Sequence, residues 1–116
     1  MTIKKSGFAA LGRKLSQIER TGRGELQRAN VDNAQLLADM ARLLIPVDSG
    51  TSRAAIRAVE LSQTQVMVDF GPKAKVIEGG SAPRPFVNPA LRATRDRRRK
   101  RNAKALRAIR KALKRG

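Results

Sequence analysis

Ten basic side chains crowd into seventeen positions near the C-terminal end of this chain: Arg95, Arg97, Arg98, Arg99, Lys100, Arg101, Lys104, Arg107, Arg110 and Lys111. Guanidinium and ammonium groups at that density are suited to polyanions, which they hold through phosphate or carboxylate oxygens. They are the candidate contacts for a nucleic acid or for an acidic protein surface. No aromatic residue interrupts the run, so bases have nothing to stack on, and arginine clusters alone give mostly phosphate contacts that carry no sequence information. Other chemistry is thinly represented. The chain has no His and no Cys, which removes imidazole and thiolate metal sites, thiol nucleophiles, disulfides and the usual general base. Asp48, in "VDSG", has no acid–base partner in a motif and reads as a turn-forming carboxylate. "GRG" and "GG" lack the Gly-Lys-Ser/Thr of a phosphate-binding loop and the spacing of a dinucleotide fingerprint. The expectation is a protein that is not an enzyme, with no catalytic residue, no metal and no cofactor.

A chain of 116 residues is the size of one domain, and 41% apolar content allows a modest core. Aromatics are 3%, all Phe, so that core must rest on Leu, Ile, Val, Ala, Met and three Phe. The net charge of +17 is uneven. Residues 92–116 hold 13 of the 26 basic residues and one of the 9 acidic ones. Such asymmetry points to an anionic partner. No run approaches the ~20 apolar residues of a membrane span, and the start does not read as a signal peptide. The default is a soluble cytoplasmic chain.

The basic run must be presented by some element, and the periodicities say which. Phe8, Leu11, Leu15 and Ile18 share one helical face over 6–20, with Ser6 as a candidate N-cap. This segment reads as a short docking helix or as a partner-binding arm. "TGRG" (21–24) is expected to break it, because two glycines in four residues are poor helix interior. A second helix over 25–45 presents Leu26, Ala29, Leu36, Leu37, Met40 and Leu44, with Asn33 as a polar interruption, and Pro46 ends it. "VDSG" (47–50) makes a turn in which Gly50 can take positive φ. Strands follow at about 54–61, whose alanine-rich first half is ambiguous with helix, and at 65–70, where Val66, Val68 and Phe70 share one face. "SQT" joins them as a hairpin, Val76 and Ile77 form a short third strand, and "GGSAP" is a flexible loop. "NPAL" (88–91) starts a helix, with Asn88 as cap and Pro89 in the first position. That helix runs to 115 and outgrows the domain. The seven consecutive charges at 95–101 cannot face a core, so they are solvated or meet something acidic. Residues 103–115 carry an apolar stripe but no Trp or Phe to insert at an interface, so a membrane-surface helix is not expected.

Two blocks resemble a phage family. "ARLLIPVDSGTSRAAI" (41–56) is similar to a family pattern P-V-D-T-G-x-L-R-x-S-I through Pro46, Val47, Asp48, Gly50, Arg53 and Ile56, with Ser49 for Thr, Ser52 for Leu and Ala55 for Ser. "KAKVIEGGSAPRPFVNPAL" (73–91) resembles Y-A-x-x-V-E-F-G-T followed by P-x-P-F-x-x-P-A-L. There Ala74, Glu78, Gly80, Pro83, Pro85, Phe86, Pro89, Ala90 and Leu91 match, while Lys73, Ile77, Gly79 and Ser81 depart from it. The family is that of the small tail-completion and head–tail joining proteins of long-tailed phages and prophages, also called neck or minor tail proteins. The resemblance covers about residues 30–92.

It implies an α+β fold: a small antiparallel sheet of about three to four strands, a long helix before it and a long basic C-terminal helix. The expected organisation is an N-terminal arm or short helix at 1–23, an α+β neck-protein domain at 24–91 and a basic helical extension at 92–116. The resemblance further implies a virion structural protein at the head–tail interface, made in the host cytoplasm and assembled as a ring oligomer, a hexamer or dodecamer, around the DNA channel. Its partners would be portal-side connector, neck and tail-terminator or tube proteins, with nonspecific DNA contact and no membrane. Pro46, Asp48, Gly50, Arg53, Glu78, Gly80, Pro85, Phe86, Pro89 and Leu91 would be structural. The alternative is a sequence-nonspecific nucleic-acid-binding protein acting through the basic helix.

Overall fold

The computed structural model describes residues 5–46 and 50–115. In chain order it contains α1 (Lys5–Leu44), α2 (Gly50–Ala54), β1 (Arg57–Glu60), β2 (Val66–Asp69), α3 (Ala74–Gly79) and α4 (Val87–Arg115). This is an α+β fold with a two-stranded antiparallel sheet between two long helices. The molecule measures 73 × 24 × 19 Å, and its radius of gyration is 20.3 Å. A compact chain of this length would have a radius of gyration near 13 Å. The elongation comes from α1, whose 40 residues reach about 60 Å at 1.5 Å per residue.

The expected break at "TGRG" does not occur. α1 runs unbroken through Thr21–Gly24, past the expected boundary between an arm and a domain, and Ser6 lies inside the helix, not at its cap. Helix propensity costs about 1 kcal/mol per glycine, and tertiary contact outweighs it. Gly22 lies beside Ile109 of α4, at 3.9 Å from where a Cβ would stand, and Glu19 pairs with Arg23 across the same turn.

α1 and α4 pack antiparallel, with Gly22 beside Ile109 and Arg101 donating to the Asp32 carbonyl at 2.7 Å. Spacings of four and three residues link Ile18, Gly22, Glu25, Ala29 and Asp32 on α1, and Thr94, Arg98, Arg101, Ala105, Ala108 and Ala112 on α4. That alternation is the seam of a coiled coil. The polar interruption at Asn33 is met from across this seam: its amide nitrogen donates to the Asn102 side-chain oxygen at 3.0 Å and to the Arg98 carbonyl at 3.4 Å.

The main core lies at the other end. Ala38, Ala41, Ile45, Ile56, Phe86 and Ala90 are buried together, flanked by Leu37, Met40, Val68, Phe70, Ala74, Ile77 and Val87. The face of α1 that enters it centres on Ala38, Ala41 and Ile45; of the expected stripe, Leu37 and Met40 pack against this core, Ala29 is buried further along α1, and Leu26 and Leu44 are exposed. Small residues let the sheet and α4 approach α1 closely, and Phe86 fills the centre edge-on to Phe70, with ring centroids 6.2 Å apart.

The hairpin follows its expected alternation. β1 and β2 pair as Ala58↔Val68 and Val59↔Met67, and the Leu61 amide closes the turn on the Gln65 carbonyl at 3.0 Å. Val68 and Phe70 face the core while Met67 is exposed. The alanine-rich first half of 54–61, open between strand and helix, divides: Ala54 ends the short helix α2 and the first strand begins at Arg57. Arg42 fastens α1 to this region: its Nε and Nη2 both donate to the Ile56 carbonyl, at 3.2 and 2.6 Å, while its Nη1 reaches Asp39.

A third strand at Val76 and Ile77 is not found. Both residues lie in α3, and among the described residues the sheet has two strands. A one-turn helix lets Ile77 reach the core while Val76 stays exposed. The positive φ expected at Gly50 is found instead at Gly71, with φ 91°; Gly50 is the first residue of α2. Val47, Asp48 and Ser49, and hence the "VDSG" turn, lie outside the described residues, as does the side chain of Phe8.

Candidate polyanion-binding face

The basic helix is set in place by a carboxylate. α4 starts at Val87, not after Asn88, since the Ala90 amide donates to the Phe86 carbonyl at 3.1 Å and makes Phe86 the cap residue. The first four amides of a helix have no partner within it. Here Glu78 accepts three: Phe86 and Val87 at 2.7 and 2.8 Å on Oε2, and Asn88 at 3.0 Å on Oε1. The fourth position is Pro89, which has no N–H. Pro89 therefore serves the third helical position, not the first, and no orphan donor remains. Partial burial pushes the Glu78 carboxyl up, but the three amides and the nearby Arg92 outweigh it and hold its pKa below the ordinary value. The sequence marked Glu78 as a motif residue; its capping role needed the fold.

Gly80 makes this joint possible for a steric reason. A Cβ there would stand 2.4 Å from the Val76 carbonyl oxygen, to which the Gly80 amide bonds at 2.9 Å. The chain then turns back, with the Arg84 amide on the Ile77 carbonyl at 2.7 Å. Gly80, Glu78, Phe86 and Pro89 thus act as one unit that aims α4, while Leu91 is half-buried and its carbonyl accepts from Arg98. Pro85 is exposed, Arg53 is half-buried in α2 with its Nε buried and unpartnered, and Pro46 is half-buried beyond α1.

Along α4 the ten candidate cations divide. Arg98 and Arg101 face inward. Arg98 donates to Thr94 Oγ1 at 3.1 Å and to the Leu91 carbonyl at 2.9 Å, and Thr94, fully buried, donates on to the Ala90 carbonyl. Arg101 is tied to α1 at the Asp32 carbonyl. Seven consecutive charges were expected to stay clear of any core; the structure corrects this, because guanidinium stems can lie across a thin seam while their heads bond to carbonyls. Arg95, Arg97, Arg99, Lys100, Lys104, Arg107, Arg110 and Lys111 are exposed. Arg92 and Lys114 join them, and a longer reading of the same periodicity would have found both.

These ten outward cations span about 33 Å of helix, a mean spacing of about 3.7 Å along the axis, which compares with about 3.4 Å between charges on one DNA strand. They cover an arc of roughly 200° at 100° per residue, so a single anionic surface can meet about half of them at once. Asp96 is the one acid on this face, and among the described residues no α4 cation is in an ion pair. Apart from Asp96 and the Glu78 carboxylate near Arg92, the face keeps its positive potential for a partner.

Elsewhere an open groove of about 640 Å³ lies between α1 and the hairpin turn, lined by Arg20, Arg23, Gln27, Glu60 and Ser62 among others. It brings together no pair of groups that could exchange a proton. No group of three or more acidic residues that could hold a metal occurs among the described residues, and none of the helices described is long and apolar enough to cross a membrane. What the structure builds is a cationic rod fixed to a small α+β head. No protein-family model, no curated protein and no solved structure matches this chain.

Proposed function

We propose that this chain is a structural protein of the phage neck, which joins head to tail or completes the tail as one subunit of a ring around the DNA channel. One observation carries the reading. Six of the residues behind the resemblance, far apart in sequence, fold onto one joint: Ile56, Phe86 and Ala90 share the core, while Glu78, Gly80 and Pro89 set the start of α4. A motif whose members have linked structural roles is a stronger basis for kinship than one whose members are scattered. The elongated shape and thin seam suit a subunit that gains stability from neighbours, since heterologous contacts repeated around an axis close a ring. The test is to make particles with and without this gene product and image them. The expected result is tailless heads and free tails in its absence, with tails restored by the gene supplied in trans. Attached, infectious tails without it would overturn the reading.

The outward cations of α4 favour a second reading, sequence-nonspecific nucleic-acid binding, because among the described residues none of them is in an ion pair. Phosphate contacts of this kind weaken by about 0.9 log unit per contact for each log unit of salt. Duplexes of unrelated sequence would bind alike and lose affinity together as salt rises. Affinity that persists at high salt would refute it.

A further inference from the structure

We infer that the N-terminal arm of α1 is a docking site for an acidic amphipathic helix of a different protein. The seam that receives α4 does not stop where α4 stops. The register that sets Gly22 beside Ile109 and Asp32 beside Arg101 brings the end of α4 level with Gln17 and Ile18. Beyond that point the same four-and-three spacing continues through Leu15 and Leu11. Ile18 is half-buried, whereas Leu15 and Leu11 are 56% and 53% exposed. The arm thus presents the vacant continuation of an interface already used within the molecule, and coiled-coil geometry accepts a further helix there in line with α4.

Charge decides what kind of helix. From Ala9 to Ile18 the arm carries Arg13 and Lys14 and no acid; the first acid, Glu19, is paired with Arg23. A second copy would bring another basic arm, or the still more basic α4, onto this one, in a chain of net charge +17. Like charges flanking a seam oppose pairing, and opposite charges set partner choice. The occupant is therefore a helix with leucine-like residues along one stripe and Glu or Asp beside it. This does not depend on the neck reading, because it concerns only the seam and its flanking charge.

The experiment uses a fluorescein-labelled peptide of three heptads, with Leu at the seam positions and Glu beside them, and a scrambled peptide of equal composition. Anisotropy is measured on the full chain, on a Leu11→Asp/Leu15→Asp variant and on a Leu106→Asp/Leu113→Asp variant. Leu106 and Leu113 are each 53% exposed and lie on α4, not on the arm, so they report general charge and hydrophobicity. The heptad peptide should bind the full chain and the Leu106/Leu113 variant alike, and the Leu11/Leu15 variant about tenfold or more weakly. The scrambled peptide should bind all three equally, through charge alone. Equal binding of the heptad peptide to all three proteins would overturn the inference. So would sedimentation showing that the full chain self-associates and that the Leu11/Leu15 variant does not, since a second copy would then occupy the arm. Circular dichroism melts on both variants keep folding separate from binding, and the exposed leucines should leave the melt unchanged.

Discussion

Replacing Glu78 with Ala should loosen the joint that aims α4. The carboxylate accepts three backbone amides, of which those of Phe86 and Val87 are partly buried and that of Asn88 is exposed. Water can take over Asn88 at little cost. The other two donors lose a charged acceptor where solvent reaches them poorly, at about 1 kcal/mol each or more, and the helix dipole loses its counter-charge, worth about 0.3–1 kcal/mol. The expected loss is thus about 2–3 kcal/mol, or a melting temperature lower by roughly 10 °C for a chain of this size. Glu78→Gln keeps an acceptor but not the charge, and should cost about half as much. Because the folded-state pKa of Glu78 is depressed, its ionised form supports the fold above the ordinary carboxylate pKa, near 4.3. That support is lost as pH falls through the lower folded-state value. The gap between the wild-type chain and Glu78→Gln should therefore be full at neutral pH and shrink in acid. Thermal melts followed by far-UV circular dichroism from pH 7 to pH 3 measure both effects. A Glu78→Ala variant within about 0.5 kcal/mol of wild type, or a gap that widens in acid, would refute the capping argument.

Other substitutions have outcomes of opposite sign. Gly22→Ala should stabilise by about 1 kcal/mol, because the new methyl removes a helix penalty and meets Ile109 at an ordinary contact distance of 3.9 Å. Gly80→Ala should destabilise by more than that, since its Cβ would stand 2.4 Å from a backbone oxygen; the same melts rank both. Arg42→Ala removes the two donors on the Ile56 carbonyl and should cost about 1.5–3 kcal/mol, measured by urea unfolding. For DNA binding, Arg99→Gln or Arg110→Gln should flatten the salt dependence by about one contact each. Arg98→Gln and Arg101→Gln, whose guanidiniums are engaged within α4 and across the α1–α4 seam, should leave that slope unchanged and lower the melting temperature instead.

Several features were legible from local pattern alone. The alternation of Val66, Val68 and Phe70 placed β2 and its inward face, and the charge run marked the helix that carries the cations. Both signals arise within a few residues, where backbone geometry fixes which side chains share a face. Other expectations failed because the deciding partner is distant in sequence. The glycines of "TGRG" end a helix in isolation but not beside Ile109. Val76 and Ile77 have strand-like side chains, yet one helical turn there is what lets Glu78 reach three amides eight to ten residues ahead.

The sequence by itself determined that the chain is strongly cationic at one end, lacks imidazole and thiol chemistry, and folds as helix, hairpin and helix. Only the tertiary structure decided which cations are free to meet a partner. Arg98 is engaged with Thr94 and the Leu91 carbonyl of its own helix and Arg101 with the Asp32 carbonyl across the seam, while their neighbours point outward, and α1 extends beyond the reach of α4. Charge and periodicity are properties of single residues and short spans, whereas the register between two long helices depends on contacts between residues some seventy positions apart.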